Sequence, residues 1–389
     1  MRYISASTIA PVVGSILKNA VVAIDDEGVV VAIYEGDDPL IKDVEKEVYE
    51  GLLIPGFVNA HCHIELSHML GKTKKKKGLP NFLMEVMRTR EEDESLILAK
   101  IKEADAAMYA NGIQAVGDHV NTTLSADVKK ASKISYHTFV ETIGVVKEEA
   151  QARIDKARDI EFYFDHNHSS ITLHAPYSCS KELFKTFRKM VSQDNILSIH
   201  NQESEEENKL FRYKEGGFLK FYEQMGLDGS MFKAQARNSI QSYLPYTPPL
   251  NRLILVHNTF TSLKDLDFIQ RQGRDVYYCL CPKANLYIEG KLPKILNFIP
   301  NTDRMVIGTD SLASNDKLDI LEELKVIAKA ADQLDFMQLL SWATINGARA
   351  LGLEDRVGSI EVGKRPGLLL LEGMEDMQLV EGVTLRRIA

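Results

Sequence analysis

Six ionisable side chains come directly after short apolar runs. His61 and His63 follow Gly56–Phe57–Val58–Asn59–Ala60, and His174 follows Ile171–Thr172–Leu173. His200 follows Ile196–Leu197–Ser198–Ile199, His257 follows Leu253–Ile254–Leu255–Val256, and Asp310 follows Met305–Val306–Ile307–Gly308 with Thr309 between. Residues two apart on a strand project to one face, so His61 and His63 can reach one ion while Cys62 points away. Imidazole nitrogens suit Zn²⁺ or Fe²⁺, and a carboxylate completes a mixed ligand set. Three histidines and one aspartate leave a position open for water, whose pKa the ion would lower until hydroxide is available near neutral pH. Singly, each has a bland reading: His-x-His is often two strand histidines, and aspartate is a favoured helix N-cap. Their joint place after successive runs favours a site. Glu203 lies three residues past His200. A carboxylic acid there can deliver a proton to a heterocycle nitrogen. The other reading is a solvated glutamate among Glu203, Glu205, Glu206 and Glu207, and spacing alone leaves both open.

The elements that must position these groups alternate. Further apolar runs lie at Ile113–Gln114–Ala115–Val116–Gly117 and Val276–Tyr277–Tyr278–Cys279, with helical patterns at Ser95 to Asn111 and Ile320 to Leu334. Continuous apolar runs are what parallel strands buried on both faces look like. About eight strand candidates alternating with helices predict an α/β fold, a (β/α)8 TIM-type barrel, whose active sites sit at the C-terminal strand ends. Val21–Val22–Ala23–Ile24 and Val29–Val30–Val31–Ala32–Ile33 flank a hairpin turn at Asp25–Asp26–Glu27–Gly28. Strand character returns at Gly358–Ser359–Ile360–Glu361–Val362–Gly363–Lys364 and Leu368–Leu369–Leu370–Leu371. Residues 1–50 and 355–389 are therefore expected to form a small β-sandwich from the N- and C-terminal strands, and 51–354 the barrel.

Composition narrows the classes. The chain has 389 residues, and its net charge of −8 argues against general nucleic-acid binding, which needs a basic face, and against an anionic membrane surface. No stretch of about eighteen apolar residues suggests a membrane span. The opening MRYISASTIAPVVGS lacks the apolar core of a signal peptide, so a cytoplasmic location is expected. Cys62, Cys179, Cys279 and Cys281 are too few and scattered for a disulfide framework. The pattern Cys279-x-Cys281–Pro282 has the wrong order and spacing for a cytidine-deaminase zinc site. The basic run Lys74 to Lys77 reads as a solvated loop, with a site for an anionic substrate group as the alternative.

At this point the motifs resemble a known family. PGFVNAHCH (Pro55 to His63), LHAPYSCS (Leu173 to Ser180), HNQES (His200 to Ser204), VHN (Val256 to Asn258), CPKAN (Cys281 to Asn285), GTDSLASN (Gly308 to Asn315), NGARALGL and GSIEVGK occur in the order found in the amidohydrolase superfamily. They resemble most its aminohydrolases related to atrazine chlorohydrolase and S-adenosylhomocysteine deaminase. The resemblance implies one divalent metal ion, Zn²⁺ rather than Fe²⁺, bound by His61, His63, His200 and Asp310. It implies that Glu203 shuttles protons, that His257 hydrogen-bonds the attacking water, and that His174, Asn285 and Ser311 contact substrate. No strand offers a lysine matching the bridging ligand of binuclear members, so a single ion is expected. Ala284 departs from the family, where serine is common, and so does Pro366–Gly367. The first concerns the pocket wall; the second lies outside the barrel.

The segment His61–Cys62–His63–Ile64–Glu65–Leu66–Ser67 is similar to the aminodeoxyfutalosine deaminases, which places Glu65 near a ribosyl hydroxyl or in a structural hydrogen bond. The expected activity is hydrolytic deamination of a 6-aminopurine nucleoside-like compound, such as aminodeoxyfutalosine or an adenosine derivative, with Glu203, His257 and Asp310 catalytic. The alternatives are cyclic amide, formimino or guanidino hydrolysis on the same scaffold, and a catalytically silent binding protein. Expected partners are a small-molecule substrate and, by analogy with the family, a second copy in a homodimer; no nucleic acid and no membrane.

Overall fold

The computed structural model describes residues 1–389 except 230, 231 and 375. The strands are β1 (Arg2–Ile9), β2 (Leu17–Lys18), β3 (Val21–Ile24), β4 (Val30–Tyr34), β5 (Glu47–Pro55), β6 (Phe57–Cys62), β7 (Ile113–Val120), β8 (Ser135–Thr142), β9 (Ser169–Leu173), β10 (Leu197–Asn201), β11 (Leu253–His257), β12 (Val276–Leu280), β13 (Met305–Ile307), β14 (Leu368–Glu372) and β15 (Thr384–Arg387). Two sheets of four parallel strands run in sequence order, β6 to β9 and β10 to β13. Helices fill the connections, as parallel neighbours require.

The two parallel sheets touch at both edges. Thr309 N and Asp310 N donate to His61 O at 3.0 and 3.1 Å, beside a parallel bridge between Cys62 and Asp310. On the other side Thr172 Oγ1 donates to Ser198 O at 2.8 Å, and His200 N donates to His174 O at 3.0 Å. Strand ends carrying the chemistry are thereby brought together.

The apolar runs are continuous because both strand faces are packed. Leu253, Leu255, Tyr278, Leu280, Met305 and Ile307 belong to the large core cluster, whereas Ile254, Val256, Tyr277, Cys279 and Val306 belong to a second one. Alternate side chains point to opposite faces, so a strand covered on both sides needs apolar residues at nearly every position. β8 lacks such a run. Its sequence Ser-Tyr-His-Thr-Phe-Val-Glu-Thr hides a strand whose last seven residues are buried.

Residues near both termini share one seven-stranded mixed sheet, ordered β15-β14-β5-β1-β3-β4 with β2 on β1. The expected hairpin is present: β3 and β4 are antiparallel, and Asp25 Oδ1 accepts from Glu27 N and Val29 N at 2.9 Å. Gly358–Lys364 is a correction: it is not a strand but a loop holding the edge of β4, where Gly363 N donates to Val30 O and Val30 N to Lys364 O. The first expected helix is found at Glu94–Ala110, N-capped by Asp93. The second stops at Ala330, earlier than its apolar pattern, and Asp335 then starts a new helix, Phe336–Trp342, through a capping box with Gln338. Among the described residues no helix is long and apolar enough to cross a membrane.

Candidate active site

His61 lies in β6, and His63 follows the strand at the start of a 3-10 segment, Ile64–Met69. His200 is in β10 and His257 ends β11. His257, Asn258 and Asp310 all have positive φ, at 74°, 56° and 59°. Non-glycine residues rarely adopt that conformation, and such strain gathers at functional sites. At these strand ends it turns the chain sharply away.

The expected ligand atoms converge. His63 Nε2 is 3.2 Å from His200 Nε2, and Asp310 Oδ1 is 3.6 Å from His61 Nε2 and 3.7 Å from His63 Nε2. His61 is wholly buried, and neither of its ring nitrogens has a hydrogen-bond partner. An unsatisfied buried polar atom costs about 1–3 kcal/mol, so a ring with two of them calls for a ligand. His200 Nδ1 donates to His174 O at 2.8 Å, which leaves a lone pair on Nε2. Ser314 Oγ donates to Asp310 Oδ2 at 2.6 Å, so the other oxygen faces the histidines. Burial holds His61 and His63 well below the ordinary histidine range, which keeps them neutral, as metal ligation requires. These donors fit a divalent cation.

Beside them lie Glu203 and His257, the expected acid–base groups. Glu203 Oε1 is 3.7 Å from His257 Nε2, and both side chains are buried. Burial first, then the charge of Asp310, raises the Glu203 carboxyl well above the usual range. Asn285 Nδ2 donates to His257 Nδ1 at 3.2 Å, so the imidazole proton sits on Nε2 and points toward Glu203.

A cavity of about 500 Å³ opens over this floor; His63, His174, His200, Glu203, His257, Asp310 and Ser311 all line it. His174 Nδ1 lies 2.6 Å from Ser178 Oγ, and burial lowers His174 to about 4. Two expected substrate contacts do not face the cavity. Asn285 is fully buried and holds His257 instead. Glu65 accepts from Asn121 N (2.9 Å), Thr122 N (3.2 Å) and Thr122 Oγ1 (2.6 Å), so it ties the His61–His63 loop to the end of β7. The Lys74 to Lys77 run is exposed and stands outside the cavity lining. All four cysteines are buried and free.

Two site residues escaped the sequence. The ligand atoms of His119 cluster with those of His61, His63 and His200. Its Nδ1 is 3.0 Å from Glu141 Oε1 and its Nε2 2.8 Å from Ser198 Oγ, so both nitrogens are engaged and the ring packs beside the ligands. Glu141 accepts from Asn121 Nδ2 at 2.9 Å. Burial opposes its charge, but the surrounding histidines prevail and hold it near 2. The signal for His119 was its place just past the run 113–117; Glu141 is the last residue but one of β8, which has no apolar run.

The chain belongs to the Amidohydrolase family, which it matches over residues 52–385. It is an enzyme that hydrolyses carbon–nitrogen bonds other than peptide bonds. It is 26% identical over 365 residues to an adenosine deaminase of Helicobacter pylori, covering 91% of this chain and 87% of that one. It is 28% identical over 357 residues to an aminodeoxyfutalosine deaminase of Nitratiruptor sp., covering 87% and 83%. Among solved structures it is similar to Helicobacter pylori aminofutalosine deaminase in complex with methylthio-coformycin, with a TM-score of 0.79 at 23% identity over all of both chains. It is also similar to zinc-complexed atrazine chlorohydrolase from Arthrobacter aurescens TC1, with a TM-score of 0.78 at 16% identity, covering 100% of this chain and 93% of that one. These two likenesses are of fold.

Proposed function

We propose that the protein releases ammonia hydrolytically from a 6-aminopurine nucleoside-like compound, in a (β/α)8 barrel closed by the edge contacts of its two parallel sheets. The N- and C-terminal strands make its accessory β domain. The observation that carries the reading is Glu203: a buried carboxyl, raised in pKa, on the floor of a mostly apolar cavity beside His257 and Asp310. A carboxyl whose pKa is raised by burial holds its proton to higher pH than an exposed one and can act as an acid toward a ring nitrogen. The deaminase names of the relatives support the same chemistry.

His61, His63, His200 and Asp310 would hold one divalent ion, Zn²⁺ in this reading. When bound, that ion supplies a water whose pKa falls from 15.7 to about 7. Asp310 Oδ1 takes the proton that the attacking water gives up. His257 donates from Nε2 and orients the oxygen against the amine-bearing carbon. Glu203 protonates the adjacent ring nitrogen, and a proton then passes to the departing amine, so that water and the amino compound yield the oxo compound and ammonia. His174 and Ser311 line the space where the base sits, and the apolar walls exclude competing water.

Ammonia release from adenosine, 5′-deoxyadenosine and 5′-thio-substituted adenosines, with metal content measured on the same sample, tests this. Turnover that follows metal content is expected. Ring opening of cyclic amides with no ammonia from any aminopurine would overturn the reading.

A further inference from the structure

One buried carboxyl away from the cavity has no part in the proton steps above. Glu323 sits in the first turn of the helix Ile320–Ala330, fully buried and outside the cavity lining. A carboxyl is kept in such a place only when its oxygens are engaged. Its two oxygens serve two different strand-end loops. Lys283 N donates to Oε2 at 2.9 Å, and Asn315 Nδ2 donates to Oε1 at 2.7 Å. Lys283 is the second residue of the helix Pro282–Ile288, whose N-cap Cys281 makes no side-chain cap, and the first N–H groups of a helix find no acceptor within it. The same helix carries Asn285, which donates to His257 Nδ1. On the other side Asn315 Nδ2 also donates to Thr309 O at 2.9 Å, directly before Asp310. The only other charged tie between these loops, Lys283 Nζ to Asp316 Oδ1, is 65% exposed at the aspartate and holds weakly.

We propose that Glu323 is a positioning residue: its carboxylate fixes the helix that carries Asn285 against the strand end that carries Asp310, and so sets where the His257 Nε2 proton lies relative to Asp310. This rests on the deaminase reading and deepens it. Two acceptor oxygens are needed. Both neighbours present N–H donors, so an amide of the same size would turn its own NH2 toward one of them. Asn315 cannot flip to meet it, because its Oδ1 already accepts from Asp316 N at 2.8 Å and Lys317 N at 3.4 Å. One loop must therefore shift.

The test measures steady-state ammonia release from adenosine and 5′-thio-substituted adenosines in the metal-loaded wild type, Glu323→Gln, Asn285→Ala and the double variant. The nitrogen resonances of the His257 ring are recorded on the same proteins. A stranded buried donor corresponds to about ten- to a hundredfold, so Glu323→Gln is expected to lower kcat by that factor with KM and metal content unchanged. With Asn285 already removed, the same change should cost about threefold or less, because the path to His257 is cut. The His257 ring should lose the single Nε2-protonated pattern of the wild type. Glu323→Asp keeps both acceptors, drawn back by one methylene. It should show a smaller loss with the same dependence on Asn285, and it carries the test if glutamine prevents folding. Equal losses with and without Asn285, a loss confined to KM or to metal content, or an unchanged His257 ring would overturn the assignment. A changed His257 ring in a protein that releases no ammonia would sink the deaminase reading alone, whereas wild-type ammonia release that Glu323→Gln leaves intact would sink Glu323 alone.

Discussion

Replacing Glu203 by glutamine removes the carboxyl's capacity to give and take a proton and leaves its shape nearly unchanged. The residue is 3% exposed, and Oε1 lies 3.7 Å from Nε2 of the His257 imidazole. Burial raises the pKa of the carboxyl and so favours its neutral form, which the amide matches in shape. The stability change is therefore expected to stay within about 1 kcal/mol, in the range of substitutions that create no cavity or stranded charge. The rate is a different matter. A positioned general acid contributes roughly 10²–10⁴, so the barrier should rise by about 3–5 kcal/mol. The pH profile sharpens the argument. An acid with a raised pKa is active below that pKa and fails as pH rises through it. The wild type should thus lose activity on the alkaline side, and Glu203→Gln should lack that limb at its low residual rate. The assay is steady-state ammonia release across pH, on protein whose metal content and melting temperature are measured in parallel. Turnover within about threefold of wild type at equal metal would remove Glu203 from the proton pathway.

Three further outcomes follow from the geometry. His61→Asn should lower metal stoichiometry and activity together, and full turnover in metal-free protein would refute the ligand assignment. Gly308→Ala should perturb the site from behind, since an added Cβ would lie 2.7 Å from His61 Cβ and 3.0 Å from Cys279 Sγ and Cys281 Sγ; overpacking of this kind costs about 1–3 kcal/mol, and an unchanged melting temperature with unchanged metal affinity would contradict it. His137, buried in β8, is lowered to about 3, first by burial and then by His168. Its folded form binds fewer protons than the unfolded chain between about pH 3 and 6.5, so stability is full above 6.5 and falls as pH drops, by several kcal/mol in all. Denaturant titrations should show a shallower acid slope for His137→Gln, and an identical slope would refute the cause.

Much of this site was legible in the one-dimensional chain because the physics of parallel strands is local. A strand packed on both faces must be apolar almost throughout, so a histidine or aspartate directly after the run marks the strand's end. His61, His63, His174, His200, His257 and Asp310 could be found that way, and the motifs from PGFVNAHCH to GSIEVGK, weak singly, together suggested the family. Glu141 was invisible for the same reason in reverse. β8 is buried from Tyr136 onward with histidine, threonine and glutamate breaking the apolar run, and neighbours such as Ser170 Oγ, 2.9 Å from His137 Nε2, engage some of these polar groups. His119 stood next to a recognised run, but its role needed Glu141 and Ser198 from other strands.

Residue type and spacing pointed to the kind of chemistry: imidazoles and an aspartate at strand ends, able to reach a metal ion, with Glu203 left open between an acid and a solvated side chain. Tertiary structure decided which groups face the cavity. It turned Asn285 toward His257, folded Glu65 back onto Asn121 and Thr122, and left the Arg90 guanidinium on the wall with no partner among the described residues. Those outcomes depend on which hydrogen-bond donors and acceptors lie within about 3 Å of a side chain once it is buried. That distance is set by strands and loops far apart in the chain, and no local pattern encodes it.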